Sequence, residues 1–351
     1  MTKPVIVAGC IPQSDSEKLK DYSLIGVRAI TRIIEAAEKT LRGEKVQFLD
    51  DEQTINLPRI RKNEFVEIIP ISNGCMGHCT FCKTKQARGE LKSFDKKSIV
   101  DMFRQALNDG VKEVWLTSED LGAWGLDINS TLPQLLKDIL KVNRNFKLRL
   151  GMINPEYVKM YNDELIKILQ DERVFKFLHV PVQSASNKVL KLMGRPYIIE
   201  DFKDSILKIK SVIPNLTLAS DIICGFPNEE DEDFEKTVKL VRELKIPVLN
   251  ISKFYARPGT PAKKLKPIPT HIVKERSKRL SDMRQDIIDN SFWIGQVQEI
   301  LVDNTGKNNS FVGRNDSYRP VVLKGDNLLG KKVKVKIISE NKDNLVGEII
   351  N

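Results

Sequence analysis

The sequence is poor in cysteine and has no long apolar run. It contains five cysteines in 351 residues, three of them clustered, so a framework of paired disulfides is not indicated. No stretch approaches the roughly 18 apolar residues of a membrane span, and the start, MTKPVIVAGCIPQSD, lacks the apolar core of a signal peptide. We therefore expect a cytoplasmic protein with reduced cysteines and no membrane partner.

Positive charge and apolar residues, by contrast, are plentiful. Lys and Arg number 57 against 47 Asp and Glu, which gives a formal net charge of +10 and favours an anionic partner such as nucleic acid. Hydrophobic residues make up 41% of the chain, enough for a full core. The length indicates more than one domain, or one large domain with an appendage.

The middle of the chain alternates short apolar runs with longer amphipathic ones. Six runs are predicted to be strands, each followed by a helical pattern: 65–71, 111–117, 147–153, 175–182, 216–224 and 248–256. Strands that alternate with helices indicate a parallel sheet with helices outside it. We predict an α/β fold over residues 59–290, built as a partial (βα)6 barrel.

The two ends of the chain differ from this middle region. After a long predicted helix at about 270–291, five short alternating runs separated by Gly, Asn and Asp predict a small all-β barrel over residues 291–351. Barrels of this size commonly bind RNA, although a packing appendage without a ligand is the alternative. Residues 1–58 contain a buried strand that ends at Gly9-Cys10 and then, in DYSLIGVRAITRIIEAAEKTLRG, a strand, a turn and a helix, too little for a complete α/β domain.

Polar motifs follow every predicted strand of the central region. They are Cys75, Cys79 and Cys82; Ser118-Glu119-Asp120; Asn154-Pro155; Gln183-Ser184; Gly225-Phe226-Pro227; and Arg257-Pro258-Gly259. The carboxyl ends of parallel strands meet at one mouth, where βα barrels build their active sites. The sequence thus predicts one site that is assembled from six loops.

The clustered cysteines have the spacing C-x3-C-x2-C in GCMGHCTFCKTKQARG, residues 74–89. Three thiolates can hold three irons of a four-iron cluster and leave the fourth iron open to a small molecule. The alternative is a structural zinc with His78 as the fourth ligand. His78 directly precedes Cys79, which makes tetrahedral coordination by both residues awkward.

This loop, with Phe81 before the third cysteine, resembles the radical S-adenosylmethionine (SAM) enzymes. LTSEDLGAWGLD, LRLGMINP, LHVPVQSASNKVLKLMGRPY, SDIICGFPNEEDEDFEKT and FYARPGTPA are similar to successive motifs of the tRNA methylthiotransferases. CKTKQARG, TSEDLGAWG and LRLGMINP most resemble the archaeal and eukaryotic branch, which acts on N6-threonylcarbamoyladenosine beside the anticodon. The C-terminal barrel then resembles a TRAM domain, an RNA-binding module.

The resemblance implies a set of cofactors, partners and site residues. Cys75, Cys79 and Cys82 would ligate a [4Fe–4S] cluster that cleaves SAM, and a methylthio group would be inserted into the adenine ring. Phe81, Ser118, Glu119, Gln183 and Ser184 would lie on the SAM side of the site, with Glu119 facing the SAM ammonium. The implied partners are tRNA, an electron donor and a sulfur-donating partner.

The front of the sequence departs from the family pattern. Family members of this kind carry three further cysteines that hold an auxiliary cluster, and here only Cys10, in VAGCIPQ, matches one of them. One thiolate does not hold a four-iron cluster alone. Sulfur insertion would then require a second iron–sulfur cluster formed with other ligands, or a separate sulfur-supplying subunit. A zinc-stabilised RNA-binding protein without enzyme activity is the remaining alternative.

Four further features of the sequence point less directly to a role. Cys224 is interpreted as a small buried hydrophobe, and His179 as either a substrate contact or a residue of the barrel interior. The segment 263–284 carries eight Lys or Arg against two acidic residues, which suits tRNA phosphates or a solvated helix face. Phe311 and Tyr318 are the candidates for base stacking in the C-terminal barrel.

Overall fold

The structure is a computed structural model that describes residues 3–49 and 55–350. Two of the predicted domain limits, residues 1 and 351, lie outside these ranges. Within them, no helix is both long and apolar enough to cross a membrane. The described chain contains three separate sheet systems that follow one another in sequence.

The first system is a small parallel sheet in the order β1-β2-β3. Its elements are β1 Ile6–Gly9, α1 Cys10–Asp15, β2 Ser23–Gly26, α2 Ile33–Leu41 and β3 Gln47–Phe48. The predicted strand ending at Gly9 and the predicted strand–turn–helix after it are confirmed. Helix α1 begins at Cys10, which is exposed.

The second system holds the six predicted strands. Its elements are β4 Val66–Pro70, β5 Ser72–Asn73, α3 Thr84–Arg88, β6 Lys92–Ser93, α4 Lys96–Asn108, β7 Glu113–Thr117, α5 Leu132–Leu140, β8 Lys147–Leu150, α6 Pro155–Met160, α7 Asn162–Gln170, β9 Phe177–His179, α8 Asn187–Leu192, α9 Ile199–Val212, β10 Thr217–Cys224, α10 Asp231–Leu244, β11 Val248–Lys253 and α11 Thr270–Ile287. Strands β8 and β9 end earlier than predicted, at Leu150 and His179, because the chain turns there into the polar loops.

These six strands form one curved, open parallel layer. β4, β7 and β8 pair in parallel, as do β9, β10 and β11, and isolated parallel bridges, including Met152 to His179, join the two halves. No pairing joins β4 to β11 within the described residues. The predicted partial (βα)6 barrel is therefore confirmed.

Helix starts and core packing follow the sequence pattern. The Asp95 side chain accepts a hydrogen bond from the Ser98 N–H (2.8 Å) at the start of α4, and Thr131 and Gln134 form a capping box at the start of α5. Along β7, Val114 and Leu116 are fully buried in the main hydrophobic cluster. Because successive side chains of a strand point to opposite faces of the sheet, Trp115 lies on the other face of β7.

The third system is a closed antiparallel barrel with one parallel pair, in the order β12-β13-β14-β16-β15. Its strands are β12 Val297–Thr305, β13 Phe311–Arg314, β14 Pro320–Leu323, β15 Lys332–Glu340 and β16 Leu345–Ile349. The predicted all-β barrel is confirmed. Short 3-10 helices lie at Ser16–Leu19, Ile30–Arg32, Leu121–Ala123, Leu126–Ile128, Pro261–Lys264 and Ser291–Trp293.

Tyr318 joins the closed barrel to the open one. Its ring packs against Phe175 and Phe177, with ring centroids 4.8 and 5.1 Å away. Trp115 meets the same ring edge-on at 6.4 Å. The base stacking predicted for Tyr318 is therefore wrong, because the ring is engaged inside the protein. Phe311 packs partly buried against the core of the closed barrel.

Candidate functional site

The cysteine loop lies between β5 and β6, which pair with each other in antiparallel fashion. Gly74 starts the loop with φ +70°, and a Cβ atom there would lie 2.1 Å from the Glu90 carbonyl oxygen, so the turn requires glycine. The loop is held in place through Thr80, which donates its N–H to the Met193 carbonyl (2.9 Å) and accepts from the Ala262 N–H (2.9 Å). The loops after β9 and β11 thus fix the cysteine loop.

Cys75, Cys79 and Cys82 line one cavity of about 350 Å³. A Cβ atom placed on Gly77 would lie 3.7 Å from the Cys79 sulfur and 3.9 Å from the Cys75 sulfur, so both sulfurs lie beside Gly77. Burial raises the pKa of the Cys75 thiol to about 11. A thiolate at this position therefore needs a nearby positive charge to stabilise it, such as that of a bound metal ion.

This donor set suits a polynuclear cluster. Three sulfurs facing one cavity match the three cysteine ligands of a [4Fe–4S] cluster with an open iron, and the remaining cavity offers room for a small molecule. His78 does not line the cavity. Within residues 3–49 and 55–350, no group of three His, Cys, Asp or Glu side chains, the three cysteines included, is arranged to hold a single metal ion.

Most of the other predicted site residues line the same cavity. Phe81 does so while its ring packs edge-on against Phe226 at 6.3 Å. Ser118 and Glu119 enter from the loop after β7; one carboxylate oxygen of Glu119 lies 3.3 Å from the Nε atom of Arg88, and the other is buried without a hydrogen bond. The predicted loops after β4 and β7 therefore converge.

The two residues predicted after β9 differ in their surroundings. Gln183 lines the cavity, has a positive φ of 63°, and has a buried side-chain oxygen without a hydrogen-bond partner. Ser184 is 1% exposed and does not line the cavity. Its hydroxyl accepts a hydrogen bond from the Ser186 N–H (3.2 Å).

Cys10 also lies outside the cavity lining. Its helix α1 packs beside α3, the helix that follows Cys82. An ion pair of 3.0 Å between Asp15 and Lys83 joins the two helices. The N-terminal sheet is thus attached next to the cysteine loop, with the Cys10 thiol at its surface.

His179 faces the barrel interior next to Asp221, which lines the cavity. The Nε2 atom of His179 lies 2.9 Å from Oδ1 of Asp221, and Asn250 donates to the same oxygen at 2.7 Å. Burial alone would raise the pKa of Asp221, but the hydrogen bonds from His179 and Asn250 bring it below its ordinary value. Asp221 therefore places a fixed carboxylate in the cavity wall.

Sequence reasoning assigned no role to Arg195 or to the side chains of Asn154 and Asp120. Arg195 and Asn154 line the cavity, and Asp120 is buried behind them. Burial raises the pKa of Asp120 to about 7. The one available signal was position, because Asn154 and Asp120 follow two of the six strands and Arg195 lies in the conspicuous run LMGRPY.

Two features outside the cavity also bear on the predictions. Cys224 is fully buried, as predicted, and burial raises the pKa of its thiol to about 12. In the basic segment 263–284, Arg276 is buried in an ion pair with Glu229 (2.7 Å) and Arg279 pairs with Glu235. Arg276 is thus bound within the protein, which removes it from the phosphate contacts suggested for this segment, whereas Arg279 remains exposed in its ion pair.

Comparison with known proteins gives two family matches. Residues 69–241 match the Radical SAM superfamily, and residues 292–350 match the TRAM domain. Membership of the Radical SAM superfamily implies a [4Fe–4S] cluster and SAM as cofactors.

Solved structures share the fold at low sequence identity. One is a radical S-adenosylmethionine methyltransferase, TsrM, from Kitasatospora setae, with a TM-score of 0.53, 17% identity and coverage of 74% of this chain and 57% of that one. Another is the cobalamin-dependent S-adenosylmethionine radical enzyme OxsB, with a TM-score of 0.51, 16% identity and coverage of 78% and 43%. At this identity the likeness shows the fold alone.

Curated relatives are similar along almost the whole chain. The threonylcarbamoyladenosine tRNA methylthiotransferase of Drosophila pseudoobscura pseudoobscura is 44% identical over 99% of this chain and 66% of its own length, and the Homo sapiens protein 42% over 99% and 63%. This chain thus spans less than two thirds of these animal relatives' length. A probable threonylcarbamoyladenosine tRNA methylthiotransferase of Pyrococcus abyssi is 39% identical over 99% of this chain and 84% of its own. The chain belongs to the threonylcarbamoyladenosine tRNA methylthiotransferase family.

Proposed function

We propose that this chain is a radical SAM tRNA methylthiotransferase that converts N6-threonylcarbamoyladenosine, next to the tRNA anticodon, to its 2-methylthio derivative. The observation that carries the proposal is the cavity in which three cysteine sulfurs meet the loops that follow β7, β8 and β9. The names of the relatives supply the substrate class.

We propose that Cys75, Cys79 and Cys82 hold a [4Fe–4S] cluster and that SAM binds beside it. Held by these three residues, the group would supply one-electron reduction of SAM, which is the chemistry needed to remove a hydrogen atom from the adenine ring. An external electron donor is needed for this chemistry. The Gly74 turn and the contacts of Thr80 hold the three sulfurs facing the cavity.

The polar residues of the cavity wall fit the groups of SAM. The unpaired carboxylate oxygen of Glu119 would accept hydrogen bonds from the SAM ammonium, with Ser118 beside it. The unpaired side-chain oxygen of Gln183 would accept from a ribose hydroxyl. Phe81 closes one wall with an apolar ring. Ser184 would not contact SAM directly. Its hydroxyl would instead support the loop by accepting a hydrogen bond from the Ser186 backbone N–H.

Asp221, held by His179 and Asn250, lies on the same cavity wall and is proposed to face the substrate base. A carboxylate fixed by two donors keeps a free lone pair for an N–H group, such as those of the substituted adenine. His179 is then the barrel-interior residue of the two interpretations that the sequence left open, since its ring is hydrogen-bonded to Asp221 and does not line the cavity.

The closed barrel is proposed to bind the tRNA. Lys332, Lys334 and Lys336 alternate along β15 on its exposed face, where they suit a phosphate backbone. We also propose a division into an N-terminal segment 1–58, a radical SAM barrel 59–290 and a TRAM barrel 291–351. A tRNA substrate is in keeping with a cytoplasmic location.

Cys10 is proposed as a ligand of a second iron–sulfur cluster that takes part in sulfur insertion. Its exposure beside the cysteine loop leaves it accessible to further ligands, and a separate sulfur-donating partner would supply them. One thiolate needs such help because a four-iron cluster has four ligand positions.

The test is a single-turnover reaction with the full chain. The protein is reconstituted anaerobically with iron and sulfide and then mixed with SAM, dithionite, a sulfide source and tRNA that contains N6-threonylcarbamoyladenosine. We expect 5′-deoxyadenosine and the 2-methylthio nucleoside by mass spectrometry, and neither product with Cys79→Ala. Formation of 5′-deoxyadenosine without the methylthio nucleoside, even with a sulfur-donating extract fraction, would overturn the proposal.

A further inference from the structure

The Arg195 side chain reaches one of the three cluster cysteines. It is 8% exposed, and its Nη1 atom donates a hydrogen bond to the sulfur of Cys79 at 3.2 Å. The other guanidinium nitrogens are fixed as well, since Nη2 donates to the Pro181 carbonyl (3.1 Å) and Nε to the Tyr197 hydroxyl (3.2 Å). The guanidinium is therefore clamped in a single orientation.

A chain of buried hydrogen bonds through Asn154 to Asp120, called the relay here, fixes the Arg195 guanidinium further. The side-chain oxygen of Asn154 accepts from Nη2 of Arg195 at 2.6 Å, and the Asn154 amide donates to Asp120 at 2.6 Å. Asp120 also accepts the backbone N–H of Asn154 and of Gly122. Asp120 and Asn154 are 2% and 6% exposed. The relay thus runs from the loop after β7, through the loop after β8, to the sulfur.

We propose that Arg195 is a positioning residue that holds the Cys79 sulfur and raises the reduction potential of the [4Fe–4S] cluster bound there. The inference rests on the proposed function only in requiring that the cluster binds to Cys75, Cys79 and Cys82. Hydrogen bonds to the ligand sulfurs are one of the protein's means of setting a cluster's potential.

The direction of the effect follows from charge. A guanidinium is positively charged at every pH at which the protein is folded, and reduction adds one negative charge to the cluster. In a buried setting the attraction between the two is screened less than in water. Arg195 therefore favours the reduced cluster, which is the form that gives its electron to SAM.

The experiment measures the midpoint potential of the one-electron couple. The chain as wild type, Arg195→Gln, Arg195→Lys and Asn154→Ala is reconstituted anaerobically, and the reduced cluster is followed by EPR in a dithionite titration with redox mediators. Iron content and SAM affinity are measured in parallel. Arg173→Gln is the control, because Arg173 is likewise held by several hydrogen bonds, to the Asp171 carboxylate and the carbonyls of Leu140 and Val142, but does not line the cavity.

We expect Arg195→Gln to shift the reduction equilibrium about tenfold toward the oxidised cluster, which is about 59 mV for a one-electron couple. Arg195→Lys and Asn154→Ala should shift it the same way by less, and Arg173→Gln not at all. If Arg195→Gln does not retain iron, the midpoint potentials of Arg195→Lys and Asn154→Ala test the inference instead.

An unchanged potential in loaded variants would overturn the inference, even if SAM affinity falls, because Arg195 would then serve SAM binding instead. An equal shift in Arg173→Gln would overturn it too, since the effect would be one of general destabilisation. If the wild type itself forms no EPR-active cluster, the proposed function fails, which is a different and distinguishable result.

Discussion

At the scale of single residues, the five cysteines have different environments, and we expect different consequences of removing them. Cys79→Ala should lower iron from about four atoms per chain to near zero, because three thiolates are the minimum that holds the cluster. Cys224→Ala is the control: this thiol is fully buried at the end of β10, outside the cavity lining, so iron content should not change. Colorimetric iron and sulfide assays decide, and iron retained in Cys79→Ala would contradict the assignment.

Glu119 gives a second prediction at this scale. Glu119→Gln should weaken SAM binding about 10- to 100-fold, because a hydrogen bond to a charged group contributes about 1.5–3 kcal/mol. Titration calorimetry on the reconstituted protein measures the affinity. Glu90→Gln is the control, since Glu90 lies at the end of the cysteine loop, outside the cavity lining, is mostly exposed and pairs with Lys85. Equal SAM affinity in Glu119→Gln and wild type would exclude the ammonium contact.

At the scale of elements, the basic helix α11 is fixed to the barrel by a buried ion pair. Arg276 is 7% and Glu229 2% exposed in the side chain, so Arg276→Gln leaves an uncompensated buried carboxylate and should cost about 3 kcal/mol of unfolding free energy. Arg279→Gln removes the exposed pair with Glu235 on the same helix and should cost less than about 1 kcal/mol. Urea unfolding measures the free energy of unfolding of both variants. Equal losses would contradict the larger contribution expected of the buried Arg276–Glu229 pair.

The elements themselves were largely predictable, whereas the contacts between them were not. Hydrophobic alternation located six parallel strands and the five strands of the closed barrel, and cysteine spacing located the central loop. The relay to Cys79 was not predictable, because its members lie 34 and 41 residues apart and each looks like an ordinary loop residue. The packing of Tyr318 against Phe175 and Phe177 was also missed, since nothing local distinguishes an aromatic that stacks on bases from one that packs against another domain.

At the scale of the whole molecule, the junction between the two barrels contains two buried carboxyl groups. Glu113 of β7 is fully buried, and Asp303 of β12 acts on it across the junction. Burial, with a further contribution from Asp303, raises the pKa of Glu113 to about 7, although Trp115, Arg314 and Arg149 act in the opposite direction. One oxygen of each carboxyl group has no hydrogen-bond partner.

This junction makes the stability of the molecule depend on pH. A carboxyl group whose pKa is raised by folding binds more protons in the folded state, so the free energy of unfolding falls as the pH rises from about 4.5 to about 7, and the loss is complete above that. Glu113→Gln should therefore be more stable than wild type at pH 8, by about 1–3 kcal/mol, and the difference should shrink at pH 5.5.

Urea unfolding of the whole chain at the two pH values, followed by tryptophan fluorescence, tests this. Glu67→Gln on the neighbouring strand β4 is the matched control with the opposite sign. Burial alone would raise the pKa of Glu67, but the hydrogen bonds from Arg59 and Arg61 bring it below its ordinary value. The carboxylate form of Glu67 is thus the stabilising one, and Glu67→Gln should lose stability at pH 8. If Glu113→Gln is no more stable than wild type at pH 8, then Glu113 is ionised at little cost in the folded protein, and the junction between the barrels does not set the pH dependence.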